Sequence, residues 1–221
     1  MPRKESIFPM NKTTLALALA CLLSSTAFAA PSTQDQLTRF AQDMTEGDAR
    51  ANPMTATNLG IPGMDGELVI PTEATRVARI AQLKGWSASL EAIRRAAGPA
   101  ISLVDADDAT LLRAQIDRHL DDLLVRETDR KDYAAPAVDL IDVLYTQFLH
   151  LPVPGRDGAT AADVSRAWAD IVSRLEKGRA FVVAGPKLAT HPGKLYGMAG
   201  HEQIAGGPDL LEGALTQAAH E

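Results

Sequence analysis

The sequence predicts an all-α protein, an array of antiparallel amphipathic helices forming the N-terminal part of a larger helical fold. Three observations carry that expectation. Apolar residues recur three and four apart over several long segments, the spacing that lines one face of a helix. Alanine and leucine recur throughout while aromatic residues make up only 5%, and strands favour β-branched and aromatic side chains. No segment alternates apolar and polar residues convincingly; FVVAG, residues 181–185, reads either as a short strand or as a buried helical turn.

The chain opens with Arg3, Lys4 and Lys12 around the start of an apolar run, TLALALACLL, followed by the small residues SSTAFAA. A positive flank, an apolar run too short to span a bilayer and an A-x-A arrangement make a secretory signal peptide. Cleavage is expected after Ala29, so residues 1–29 are the signal and 30–221 the helical domain, exported to the periplasm with no transmembrane helix in the mature chain. Met10, followed by Asn11 and Lys12, makes a more typical start, which leaves residues 1–9 as an over-extended reading of the gene. The single cysteine, Cys21, lies inside the apolar run. A lipid-anchored form would begin at Cys21, but Ala18 stands where a lipobox usually carries leucine, and soluble export is preferred. A cut after Ala29 leaves no cysteine for disulfide or thiol chemistry.

Leu37, Phe40, Ala41 and Met44 mark a short amphipathic helix that Gly47 closes. NPMTATNLGIPGMDGELVIP, dense in Pro, Gly and Asn, is an irregular connection with one helical turn from Pro53 to Leu59. From Thr72 the helical period returns through Val77, Ile80, Leu83, Trp86, Leu90 and Ile93, ending at Gly98 and Pro99. Asp105 or Asp107 caps the next helix, whose buried stripe is Leu112, Ile116, Leu120, Leu123 and Leu124. DRKD, around Arg130, is a polar turn. Pro136 suits a first helical position, ahead of Val138, Ile141, Tyr145 and Phe148. After PVPGRDG, Thr160 and Asp163 form a capping box before Val164, Trp168, Ile171, Val172 and Leu175, and Gly178 stops that helix.

With 46% hydrophobic and 23% charged residues, the composition is that of an ordinary globular domain. Net charge is −6, and the basic residues are interleaved with Asp and Glu, so no clustered face is available to neutralise phosphates and nucleic acid is excluded as a partner. HEQIAGG, residues 201–207, begins as a zinc peptidase motif does, but Ala205 stands where the second histidine would be, and Gly206, Gly207 and Pro208 are residues that end a helix. His201 and Glu202 are therefore expected at an exposed helix end. His119, His150, His191 and His220 show no close ligand spacing. His119 sits beside Asp121 and Asp122 in what reads as a solvated charge cluster, and His150 closes a helix, where the dipole favours a partly charged imidazole. Asp107 and Asp108 lie where negative charge stabilises a helix start. GPKLATHPGKLYGMAG holds two lysines but lacks the glycine spacing of a phosphate loop, and a tight turn accounts for it. No catalytic, cofactor-binding or metal-ligating residue is assigned, and no cofactor is expected in this chain.

One combination of segments goes further. The connection carries Pro53, Ala56, Thr57 and Gly60 as P-x-x-A-T-x-x-G, with Asp65 in the following loop; then come PTEATRVARIAQLKGW, SLVDADDATLLRAQIDRHLDDL and, later, HPGKLYGMAGHEQIAGGPDLLEGAL. This order resembles the opening of the bacterial domain-of-unknown-function 885 family over most of the mature chain. The resemblance implies a mostly helical exported protein similar to zinc-dependent carboxypeptidases, whose members are typically more than twice this long and carry His-Glu-x-x-Pro-Gly-His in the C-terminal half. No residues here match that motif. What the resemblance implies is an N-terminal helical scaffold without the metal site, inactive alone, with zinc and a peptide-like substrate belonging to a full-length relative. The ending LTQAAHE, without a helix stop signal, suits a truncated frame. The alternative is a complete non-enzymatic helical module in the periplasm that binds a partner or a small ligand.

Overall fold

Leu37, Phe40 and Met44 are all buried and form the apolar face of helix α1 (Thr33–Ala51). The computed structural model describes residues 31–156 and 158–220, and among them regular structure is helical only, without a strand. The signal peptide and Cys21 lie outside the described residues. α1 does not close at Gly47: a Cβ there would lie 2.8 Å from Trp86 Cη2, so the glycine answers to packing, and the helix runs on for another turn.

Asn52 caps α2 (Pro53–Asn58) by accepting from the Thr55 amide at 3.2 Å. After an irregular stretch, α3 (Glu73–Ala97) starts with a reciprocal pair: the Thr72 hydroxyl accepts from the Thr75 amide while Thr75 Oγ1 accepts from the Thr72 amide. It ends at Gly98, whose φ of 61° favours glycine. Ser102, rather than Asp105 or Asp107, caps α4 (Leu103–Asp121), accepting from the Asp105 amide at 3.1 Å. Asp105 instead places its charge in the first turn, where the helix dipole favours it.

Leu37, Phe40 and Met44 of α1 meet Leu83 and Leu90 of α3 and Ala109 and Ile116 of α4 in one cluster, flanked by Trp86, Ile93, Leu112, Leu120 and Leu123. Val77 and Leu124 fall off the expected stripes and are exposed. For Leu124 the reason is local, since residues Asp122–Arg126 form a wider π turn that resets the helical phase. The first three residues of DRKD are helical rather than an open turn: with Thr128 they form the short α5 (Thr128–Lys131), which Asp132 follows, and Arg130 donates to both carboxylate oxygens of Glu73 at 2.9 and 2.8 Å.

Asp132 Oδ1 accepts from the amides of Ala134 and Ala135 at the start of α6 (Ala135–Leu149). Val143, Leu144 and Phe148 are its buried residues. Val138, Ile141 and Tyr145 are half-buried, because α6 is packed by α2, α7 and α8 on different sides and has no single core face. The Thr160–Asp163 capping box opens α7 (Ala161–Leu188) as the sequence predicts. Gly178 does not stop it. The helix buries Ile171, Arg174, Gly178, Phe181, Gly185 and Leu188, while Trp168, Val172 and Leu175, expected in the core, are exposed. FVVAG is thus helical.

α8 (Lys194–His220) continues through Gly206, Gly207 and Pro208. Gly207 has a packing role, because a Cβ there would lie 2.5 Å from Ile141 Cδ1; Gly200 likewise meets Ala134. Small residues on α8 let its backbone approach α6 closely.

Candidate functional site

Where the α1–α3–α4 group faces α2, α6 and α7, a cleft of about 700 Å³ opens. Its apolar part comes from Met54, Pro136, Phe181 and Leu188, and its polar part from Arg76, Arg79, His119, Asp122, Asp129, Asp132 and Asp139. Met54 and Phe181 belong to a buried cluster with Leu68 and Val143, so that surface is fixed by the core beneath it.

The two α3 arginines are already engaged. Arg76 donates from Nε to Asp129 Oδ2 at 2.9 Å and from Nη2 to the Leu123 carbonyl, with Glu73 and Glu127 at 3.8 and 4.0 Å. Arg79 bridges Asp48 and Gln82 and stacks its guanidinium 5.1 Å from the centre of the Trp86 ring. Asp139 has the opposite situation. Among the described residues no cation stands within ion-pair distance of it and no group donates to it. Asp139 is an exposed residue; desolvation by the protein beside it, then the charges of Asp142 and Asp132, push its carboxyl up to about 6. Asp129, in the same wall, keeps a buried Oδ1 without a hydrogen-bond partner among the described residues.

His119 lines this cleft and is half-buried, a correction to its expected place in a solvated cluster. Desolvation holds its imidazole below the ordinary value; Asp48 and Asp122 oppose that shift, and Arg79 and Arg118 reinforce it. Asp122 also lines the cleft, and with Asp121 it pairs with Arg126. His201 and Glu202 are exposed, as predicted, but inside α8 rather than at its end. His150 is the C-cap of α6, its Nδ1 lying 2.8 Å from the Thr146 carbonyl. The His191 amide donates to the Arg130 carbonyl. Asp107 and Asp108 stand in the second turn of α4. Among the described residues, no group of three or more His, Cys, Asp or Glu is placed to hold a metal ion.

A second buried polar centre lies in the core. Arg174 of α7 is wholly buried and donates to Gln147 Oε1 at 2.9 Å, Thr57 Oγ1 at 3.0 Å, the Met64 carbonyl at 2.8 Å and the Glu67 carbonyl at 3.3 and 3.2 Å. Desolvation pushes its guanidinium down, against Asp65, Asp170 and Glu67, but from so high a start that it stays charged. Gln147 Nε2 donates to the Asp65 carbonyl, and Lys177 Nζ to the Gly66 carbonyl. The connection between α2 and α3 is therefore fastened to α6 and α7 from within.

Sequence reasoning passed over both centres. The available signal for Asp139 was two aspartates, Asp139 and Asp142, interrupting the apolar run PAVDLIDVL. No helix among the described residues is long and apolar enough to cross a membrane. Comparison with protein-family models, curated proteins and solved structures finds no match.

Proposed function

We propose that this chain is a helical scaffold portion of an exported metallopeptidase-like hydrolase, which shapes and supports but carries no metal site of its own. The observation that supports this best is an uncovered apolar stripe on α7. Trp168, Val172 and Leu175 follow one another at helical spacing, with Val183 two turns further on beyond the exposed Arg179, and the four are between 39 and 50% exposed, beside the face that packs on α6. Apolar surface grouped in this way favours a contact with further protein. The segment resembling the domain-of-unknown-function 885 family also has a structural task here, since Thr57 and the carbonyls flanking Asp65 are where Arg174 grips the connection. The test is bound zinc by elemental analysis, together with hydrolysis of a peptide library by the purified protein. Neither is expected, and stoichiometric tight zinc with turnover overturns the proposal.

The cleft favours a second reading, a non-enzymatic module that binds a small ligand. Its volume suits one, and its mixture of apolar surface with a few ionisable groups is the usual make-up of a ligand site.

A further inference from the structure

We infer that the cleft is a site for a small organic cation, an ammonium bearing an alkyl or aryl group, with its charge at Asp139 and its apolar part on Met54, Phe181 and Leu188. This rests on the ligand-binding reading of the cleft and is independent of the peptidase scaffold. The cleft's charge is the first support. Arg76 is matched by Asp129, Arg79 by Asp48 and Arg50 by Glu46, whereas Asp139 has no counter-ion among the described residues and two further carboxylates, Asp132 and Asp142, close enough to act on it. An incoming cation relieves that repulsion; an incoming anion adds to it.

The kind of cation follows from the neighbouring surface. A bare divalent ion needs several converging oxygen ligands, and no such group forms among the described residues. Met54, Phe181 and Leu188 instead offer carbon, which an inorganic ion cannot use and an alkyl chain can. A neutral apolar molecule would cover the carbon but offer no counter-charge to the Asp139 carboxylate. Only a molecule with both parts satisfies both surfaces.

The rest of the charged lining is Arg50 of α1, Arg76 and Arg79 of α3, His119 of α4, and Asp122, Asp129 and Asp132 from the turns around α5. α2 and α7 contribute no charged side chain to the lining, and α8 lies against Ala134 and Ile141 on another face of α6. Acidification has two effects of the same sign. It protonates Asp139, whose carboxyl titrates at about 6, and it charges His119, so the dependence on each must be separated.

The experiment titrates hexylammonium, hexanol and hexanoate into the purified full chain, followed by calorimetry and amide chemical shifts. At about pH 8 hexylammonium is expected to bind at least roughly tenfold more tightly than hexanol, and hexanoate weakest. Lowering to about pH 5 leaves roughly a tenth of Asp139 ionised and weakens hexylammonium about five- to tenfold. Asp139→Asn is expected to bring hexylammonium down to the level of hexanol and to flatten the pH dependence. Equal affinity for hexanol and hexylammonium, an Asp139→Asn protein that binds as the wild type does, a pH dependence that survives in it and so belongs to His119, or no binding by any of the three each overturns the assignment. Binding of hexanol or hexanoate in the cleft without preference for the ammonium leaves the ligand-binding reading standing and removes only the cation. Should Asp139→Asn fail to fold, the comparison of the three ligands and the wild-type pH series still decide.

Discussion

Arg174 shows how one residue can commit a whole connection. Its side chain is fully buried, and it meets neutral acceptors: an amide oxygen, a hydroxyl and two backbone carbonyls. The charge is therefore stabilised by hydrogen bonds and by the more distant Asp65, Asp170 and Glu67, not by a direct ion pair. Removing it exposes the asymmetry of hydrogen bonding, in which a made bond contributes modestly but an orphaned buried acceptor costs its full desolvation. Arg174→Met keeps most of the volume and strands those acceptors, so a loss of about 3 kcal/mol is expected in urea unfolding. Arg174→Lys keeps the charge but not the planar fork, and should recover only part of that loss. A loss below about 1 kcal/mol for Arg174→Met would mean that water or a rearranged loop satisfies the same acceptors.

At the scale of the element, the helices were legible where their signals are local, and were misjudged where glycine serves packing. Thr72, the Thr160–Asp163 box and Gly98 mark real helix ends. Gly47, Gly178 and the Gly206–Gly207 pair read as stops, yet each lies within a helix, because the space a Cβ would fill at Gly47, Gly178 and Gly207 belongs to Trp86, Leu140 and Ile141. A sequence does not state which neighbour a glycine faces, so the two uses look alike. The cleft was illegible for the same reason: Asp139 and His119 lie on different helices, and only packing brings them to the lining of one cleft. Three alanine substitutions separate these uses of glycine. Gly85, in α3, has nothing within 4 Å of a Cβ, so Gly85→Ala should gain about 1 kcal/mol from helix propensity alone. At Gly178 the obstacle is Leu140 Cδ2 at 2.9 Å, a methyl that can swing aside, so Gly178→Ala should stay within about 0.5 kcal/mol of wild type. At Gly185 a Cβ would lie 2.5 Å from Pro136 Cγ and 3.1 Å from its Cδ. That ring cannot turn away, so α6 and α7 must separate, and Gly185→Ala should lose roughly 1–2 kcal/mol net. Thermal melts of the three variants rank them, and a stabilised Gly185→Ala would contradict the close approach of these helices.

Over the whole molecule, burial is unevenly shared, and stability should follow it. The α1–α3–α4 group holds Leu83, Leu90, Ala109 and Ile116 with no exposed surface at all, and its helices contact one another pairwise. α8 is held differently. Its main partner is α6, the residues it buries among those described are Gly200 and Gly207, and Tyr196, Met198, Ile204 and Leu210 on it are exposed. Leu211 packs against the Leu144, Phe148 and Ile171 cluster, but the other α8 contacts described are glycines against Tyr133, Ala134 and Ile141, which permit close approach and bring little apolar area, so the free energy that docks α8 is smaller than that of the first group. Opening α8 alone leaves the Arg174 network and the α1–α3–α4 cluster intact, since neither includes an α8 side chain. Local opening with a low free energy is therefore expected for α8, ahead of global unfolding. Native-state hydrogen exchange should find amides in the middle of α8 exchanging about 100-fold faster than those around Leu83, Leu90 and Ile116. Equal protection across both regions would mean that α8 unfolds only with the rest, and would overturn this expectation.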